Sequence, residues 1–369
     1  MSARRTRLAV LDGVPEHVEL VETTVPAPDA GSTLLRVEMA GVCGTDVHFW
    51  TGLTPYPAPM VLGHEGVGVI EELGQGVAVD HAAVPVQVGD RVVWVPERAC
   101  GRCHGCTILG DSSMCENLEV YCAPSSHNWA AWADYALLPP EMPFFRVAGG
   151  TPPEAVAAFG CALPTMLQAF ERAGGLSPGQ NVIVQGSGPV GLAATLLARL
   201  SGAGTVVVIG APAHRLDAAN ALGADEVIDI EAVPDPSQRA ELARAATGGR
   251  GGDLIVEATG VLEAFSEGFE LLAKGGRYLV VGLWGTPGSV PIRAMTLNNS
   301  NQSIVGSSFC QPRHHLQALR IVERHHAAIP LAEMVSDQFP LARASEALAV
   351  SRRQECLKAV IVPGPERCA

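Results

Sequence analysis

Cys43, His64 and Cys161 supply two thiols and an imidazole, the donor types that hold a zinc ion with one coordination position left open. Cys43 begins the run Cys43-Gly44-Thr45-Asp46-Val47-His48, and His64 lies within Gly63-His64-Glu65. Two thiolates and a neutral imidazole cancel the charge of the metal, which remains a Lewis acid toward an alcohol or carbonyl oxygen. A hydroxyl acidified in this way can give up hydride to a suitable acceptor without a strong protein base at carbon. What the site still needs is a path for the proton. Thr45, two residues after Cys43, offers a hydroxyl, and His48 is the nearest group that titrates near neutral pH. Asp46 is placed to accept the imidazole N–H of His64. Glu65 reads either as a ligand when the open position lacks water or as a carboxylate just outside the ligand set.

A second cluster carries different chemistry. Cys100, Cys103, Cys106 and Cys115 offer four thiolates within 16 residues, enough to close a tetrahedral zinc shell and exclude substrate. That zinc is expected to be scaffolding, and His104 within the cluster is not needed as a ligand. Of the ten cysteines, Cys122, Cys310, Cys356 and Cys368 are assigned no role. His127, His314, His315, His325 and His326 are read as surface or helix-face residues.

A glycine-rich turn supplies the third element of chemistry. Gly186-Ser187-Gly188-Pro189-Val190-Gly191 follows the apolar run Val182–Val184 and opens an alanine- and leucine-rich helix. In that setting the glycines allow a tight turn, close approach of a pyrophosphate and helix-on-strand packing, and the helix N-terminus faces the phosphates. The next strand ends Val208-Ile209-Gly210, with no carboxylate for the ribose hydroxyls of NAD. His214 or Arg215 could meet a 2′-phosphate, so NAD and NADP both stay open.

The elements that must position these groups follow from the wider pattern. A chain of 369 residues with 47% hydrophobic content is too long for one core and is read as two domains. Up to about residue 160, short apolar or alternating runs between Gly and Pro turns predict a β-rich domain. From Asn181 strand and helix alternate, as in a parallel sheet covered on both faces. The sequence pattern leaves open which domain takes the tail from about Gln302. The net charge of −13 and the lack of a dense basic run point to a small-molecule substrate and away from nucleic acid or a membrane surface. The basic start Met1-Ser2-Ala3-Arg4-Arg5-Thr6-Arg7 is followed by too short an apolar stretch for export, and no run reaches the roughly 18 apolar residues of a span. A cytoplasmic protein is expected.

The order Gly-x-Cys-Gly-Thr-Asp-x-His at 41–48, Gly-His-Glu at 63–65, the four-cysteine lobe, Cys161 and then Gly-Ser-Gly-Pro-Val-Gly resembles the zinc-dependent medium-chain alcohol dehydrogenases over essentially the whole chain. The resemblance implies an α/β protein: a GroES-like β-rich catalytic domain, residues 1–162 completed by 304–369, and a Rossmann coenzyme domain with a doubly wound parallel sheet, residues 163–303. It implies catalytic zinc on Cys43, His64 and Cys161 with Glu65 close by, structural zinc on Cys100, Cys103, Cys106 and Cys115, and a proton relay through Thr45, the cofactor ribose and His48. It implies NAD or NADP at Gly186–Gly191, Gly210, Arg215 and Leu283, and a homodimer or homotetramer assembled through the coenzyme domains.

Two departures stand out. The gap from Cys106 to Cys115 is one residue longer than usual in the family, and Gly210 replaces the aspartate common in NAD-using members. Phe49, Trp50, Trp94, Leu283 and Trp284 are candidates for an apolar pocket wall, which suggests a hydrophobic secondary or cyclic alcohol oxidised reversibly to its ketone or aldehyde. The Trp129–Tyr135 run is read as structural. The surroundings of Cys161 are similar to branches that include cyclic terpenol dehydrogenases. The competing readings are a zinc-independent quinone or enone reductase on the same fold and a non-catalytic nucleotide-binding protein.

Overall fold

The computed structural model describes residues 4–364. Cys368 and the first three residues of the basic start lie outside the described residues. The chain divides into two compact units, Met1–Cys161 with Gln311–Ala369, and Ala162–Cys310. No helix among the described residues is long and apolar enough to cross a membrane.

The first unit is built on a mostly antiparallel sheet in the order Val335–Pro340, Lys358–Val362, Thr33–Gly41, Gly66–Leu73, Arg91–Trp94, Phe144–Arg146. Tyr135–Leu138 pairs with the Thr33–Gly41 strand, and a smaller sheet joins Glu19–Val25, Arg4–Leu11 and Met60–Val61. Register decides where the chemistry sits. Ala40 is opposite Gly66, and Val360 is opposite Gly41. The strand that ends at Gly41 runs into Cys43, the strand that begins at Gly66 is preceded by His64 and Glu65, and Lys358 begins the third. Pairing these three strands therefore gathers residues more than three hundred positions apart in the chain.

Tryptophans fill the space behind that junction. Trp132 is fully buried, and its Nε1 donates to the Gly41 carbonyl at 3.2 Å. Gly63 has φ +97°, and a Cβ there would come within 2.5 Å of the Trp132 backbone nitrogen, so only glycine lets the chain turn here against Trp132. Truncating such a residue costs about 3–5 kcal/mol, which measures how firmly the His64 loop is backed. Trp94 lies across Gly66, where a Cβ would meet its ring at 2.0 Å.

The second unit holds a six-stranded, wholly parallel sheet. Its order is Glu226–Asp229, Thr205–Gly210, Asn181–Gln185, Gly252–Glu257, Leu272–Val280, Ser303–Gly306. This is the doubly wound order with its switch point between the third and fourth strands, the place where such sheets receive dinucleotides. The central strands are continuous apolar runs because both faces are covered. Residue 304, the expected start of the returning tail, falls inside the strand Ser303–Gly306, and the unit boundary lies at Gln311.

Candidate metal and nucleotide sites

Among the described residues, two groups of three or more His, Cys, Asp or Glu side chains bring their donor atoms within 4.8 Å of one another. They are Cys43, His64, Glu65 and Cys161, and Cys100, Cys103, Cys106 and Cys115.

In the first group Cys43 is the N-cap of the helix Gly44–Trp50. Asp46 closes a capping box: its Oδ2 accepts the Cys43 N–H at 2.9 Å. The other oxygen, Oδ1, lies 3.3 Å from Nδ1 of His64. One buried carboxylate thus holds both the Cys43 turn and the His64 ring, and fixing Nδ1 leaves Nε2 as the lone-pair donor. Thr45 and His48 are one turn apart on the half-buried face of that helix, while Asp46, Phe49 and Trp50 point inward.

The two thiols show that the group suits a cation. Their sulfurs are 3.5 Å apart. Hydrogen bonding from Cys161 holds Cys43 well below the usual thiol range, and the same contact, with burial, drives Cys161 well above it. Two half-buried thiolates this close together need a positive charge between them. Burial opposes charge on His64, yet Asp46 and then Cys43 raise it well above the usual imidazole range. Two thiolates and an imidazole fit a zinc ion.

Glu65 lies beside them, its side chain closed to solvent. Oε1 accepts the Cys161 N–H at 3.1 Å, and Oε2 is ion-paired with Lys358. Lys358 was not singled out in the sequence. Its trace there was an ammonium opening the apolar strand Lys358-Ala359-Val360-Ile361-Val362. Glu97 was also missed. Burial raises its carboxyl to about 7, and Oε2 has no hydrogen-bond partner, 3.9 Å from Nε2 of His315.

The histidines at 314 and 315 correct an expectation: both are buried. Burial drives His315 down to about 3, and Nδ1 of His314 accepts the Gln311 N–H at the start of its helix. Trp94 and Trp50, offered as pocket wall, are core residues of the first unit, whereas Phe49, also buried, lines a small cavity with Asp46, His64 and Trp129. Phe49 packs edge-on to Tyr56 and Tyr121. Leu283 and Trp284 belong to the second unit, where Leu283 packs against the cluster around Ile183 and Tyr278.

The four-cysteine group is local. Cys103 caps the short helix His104–Thr107. The Cys100 N–H donates to Cys115 Sγ at 3.3 Å, and the Glu116 N–H donates to Cys103 Sγ at 3.4 Å. Backbone hydrogen bonding from Arg102 lowers Cys100 to about 6, whereas desolvation and Cys103 push Cys106 up to about 12. The longer gap to Cys115 is taken up by an exposed loop. Gly110 adopts φ +64° and Asp111 caps the turn Ser112–Met114. His104 is exposed and outside the ligand set.

At the glycine turn Gly186 has φ +105°, and a Cβ on Gly191 would stand 1.9 Å from the Gly186 carbonyl oxygen. Gly188 is the N-cap of the helix Pro189–Leu200, and only Nη1 of Arg215, at 3.9 Å, would come near a Cβ there. Backbone amides at that helix start are thus open to a phosphate, with a guanidinium alongside. Val190 is half-buried in the first turn of the same helix. Ser187 donates from Oγ to the Ala211 carbonyl at 2.9 Å. Gly210 leaves that hydroxyl its space, since a Cβ would meet it at 2.6 Å. The loops around the switch point are tied by Glu257, fully buried and unforeseen, which accepts from Thr259, Gly260 and Gly282.

Known proteins share the fold and both halves of the chain. Residues 29–147 match the model of the alcohol dehydrogenase GroES-like domain and residues 189–324 that of zinc-binding dehydrogenases. The chain is 43% identical over 346 residues to a 5-exo-hydroxycamphor dehydrogenase of Pseudomonas putida, covering 94% of this chain and 95% of that one. It is 29% identical to a sorbitol dehydrogenase of Halalkalibacterium halodurans, over 94% and 96% of the two chains. Among solved structures, an alcohol dehydrogenase from Thermotoga maritima superposes with a TM-score of 0.91 at 30% identity, covering 98% of this chain and all of the other. A putative zinc-binding dehydrogenase from Sinorhizobium meliloti, bound to NADP, superposes at 0.83 with 26% identity, over 98% and 100% of the two chains.

Proposed function

Because the chain belongs to the zinc-dependent medium-chain alcohol dehydrogenases, we propose that it oxidises a cyclic secondary alcohol with an apolar skeleton to the ketone, reversibly, at Cys43, His64 and Cys161. The protein is an NAD(P)-linked oxidoreductase acting on a small molecule. The observation that carries the proposal is the half-buried sulfur pair, 3.5 Å apart and short of a positive charge, with the His64 ring held beside it by Asp46. The substrate class is supported by the relative that acts on 5-exo-hydroxycamphor.

In this reading zinc held by Cys43, His64 and Cys161 supplies a Lewis acid that makes a substrate hydroxyl more acidic and polarises a carbonyl. Thr45 takes the hydroxyl proton into a hydrogen bond and passes it toward His48, one helical turn on. NAD or NADP, when bound, would supply the acceptor for the hydrogen of the carbinol carbon with both its bonding electrons, so that alcohol and oxidised cofactor would give ketone, reduced cofactor and one proton. Asp46 keeps His64 in the tautomer that offers Nε2. The turn Gly186–Gly191 would hold the pyrophosphate, with Arg215 beside it and Gly210 adding no negative charge where the ribose would lie. Leu283 belongs to the same cofactor site. Cys100, Cys103, Cys106 and Cys115 would hold a second zinc, which would fix their loop. The first unit serves as catalytic domain and the second as coenzyme domain, and the protein works in the cytoplasm as a homodimer or homotetramer.

A panel of cyclic, aryl and aliphatic secondary alcohols, followed at the nicotinamide absorbance with each cofactor, tests the reading. Cyclic alcohols are expected to give the highest kcat/KM with one of the two cofactors, alongside two zinc ions per chain. Turnover of quinones or enones but not alcohols, with one zinc per chain, would replace the proposal with a zinc-independent reductase.

A further inference from the structure

Glu65 stands between two places for positive charge. Its donor oxygen lies within 4.8 Å of the Cys43, His64 and Cys161 donors, so it is within reach of a metal they hold. Yet both of its oxygens are engaged elsewhere, Oε1 by the Cys161 N–H and Oε2 by Nζ of Lys358. The ion pair is closed to solvent, the lysine side chain 2% and the glutamate 0% exposed. No other acid is paired with Lys358 among the described residues. The carboxylate fills a slot left by two missing side chains: a Cβ on Gly41 would lie 1.8 Å from Oε2, and one on Gly160 would lie 2.5 Å from the carboxyl carbon.

A buried carboxylate cannot remain without a cation at low cost, and removing one partner of such a pair leaves the other seeking a substitute. We propose that Lys358 is a positioning residue that withholds Glu65 from the zinc held by Cys43, His64 and Cys161, keeping the fourth position open for substrate. The inference rests on the zinc site proposed above. In its terms the strand Lys358–Val362, the last strand of the first unit, sets how many protein ligands the metal has. Without the ammonium, the nearest compensating charge for Glu65 is the metal, and the shell closes.

The test is the rate at which the more labile zinc passes to excess chelator from the full-length holoenzyme, compared among wild type, Lys358→Met, Lys358→Gln and Lys358→Met/Glu65→Gln. Slower release, by tenfold or more, is expected in Lys358→Met, with a smaller slowing in Lys358→Gln, which keeps an N–H donor and folds more readily. A release rate near wild type is expected in the double variant. Cobalt put in place of that zinc should show a shifted visible spectrum in the single variants only, as a carboxylate enters the shell. A merely structural lysine would have the opposite sign, since loosening the site speeds release. Faster or unchanged release in both single variants, or equal rates in single and double variants, overturns the proposal. A wild type holding one zinc, not two, refutes the zinc assignment itself and is told apart by that count.

Discussion

The two sulfur-rich regions place the same donor type in opposite settings. The loop from Cys100 to Cys115 collects four thiols from one short segment, half-exposed, held by backbone N–H groups that point at sulfur. The group around Cys43 collects two thiols, an imidazole and a carboxylate from three separate segments, and surrounds them with Asp46 and Lys358, both buried. A closed shell of sulfur can be local because nothing else must reach it. A shell with an open position needs its remaining ligands oriented and its charge balanced by neighbours, and those neighbours come from wherever the sheet register brings them.

The strongest way to break that comparison is to remove one sulfur from each region. Cys43→Ala should abolish alcohol oxidation, by roughly a thousandfold or more if the Lewis acid supplies several kcal/mol, while cofactor binding by fluorescence titration persists. Cys106→Ala should lower the Tm and leave kcat/KM at permissive temperature within a few-fold. Comparable loss of turnover in both would erase the division of labour.

A milder cut addresses orientation alone. Asp46→Asn keeps the shape of the capping box but weakens the hold on His64, and zinc affinity at the first site should fall by about 10–100-fold. Affinity at the four-cysteine loop should not change. Competition with a metal-sensitive dye reads both sites in one titration.

The smallest expected effect lies at the seam between the regions. Glu97 is three residues before Cys100 in sequence yet feels the charge of His64. Its folded-state pKa, raised to about 7 from the ordinary 4.5 by burial, means that the folded protein holds this proton more tightly than the unfolded chain. The stability it contributes is full below about 4.5 and is lost as pH rises through about 7, at most about 3 kcal/mol. With the labile zinc removed, Glu97→Gln should flatten that part of the pH dependence in urea unfolding. An unaltered slope would show that the carboxyl is not buried as described.

How much of this could be read from the chain follows the same division. The four-cysteine loop is written in its spacing, and the parallel sheet in its strand–helix rhythm. Cys43, His64 and Cys161 can be grouped by donor type and order, and the fold brings their atoms together. Lys358, Glu97, His315 and Glu257 were not legible, because a charged or polar residue in a sequence reads as solvated until tertiary packing buries it. Trp94 failed in the other direction. Aromatic bulk near the metal motifs suggested a pocket wall, but Gly66 opposite it makes the space that its ring fills. The boundary near residue 304 was misplaced because the four-residue strand Ser303–Gly306 is too short to announce itself.

The pairing of Val360 with Gly41 also has a meaning in time. A ribosome emits the whole Cys100–Cys115 loop while well over two hundred residues, Lys358 among them, are still unmade. At about 5–20 residues per second that interval is on the order of tens of seconds. If both zinc ions are held as proposed, the four-cysteine loop can load its ion on the nascent chain. The group around Cys43 lacks its ammonium until Lys358 is made. On the proposal above, an ion captured earlier would meet a Glu65 carboxylate free to bind, and would gain its vacant corner only as the strand Lys358–Val362 docks.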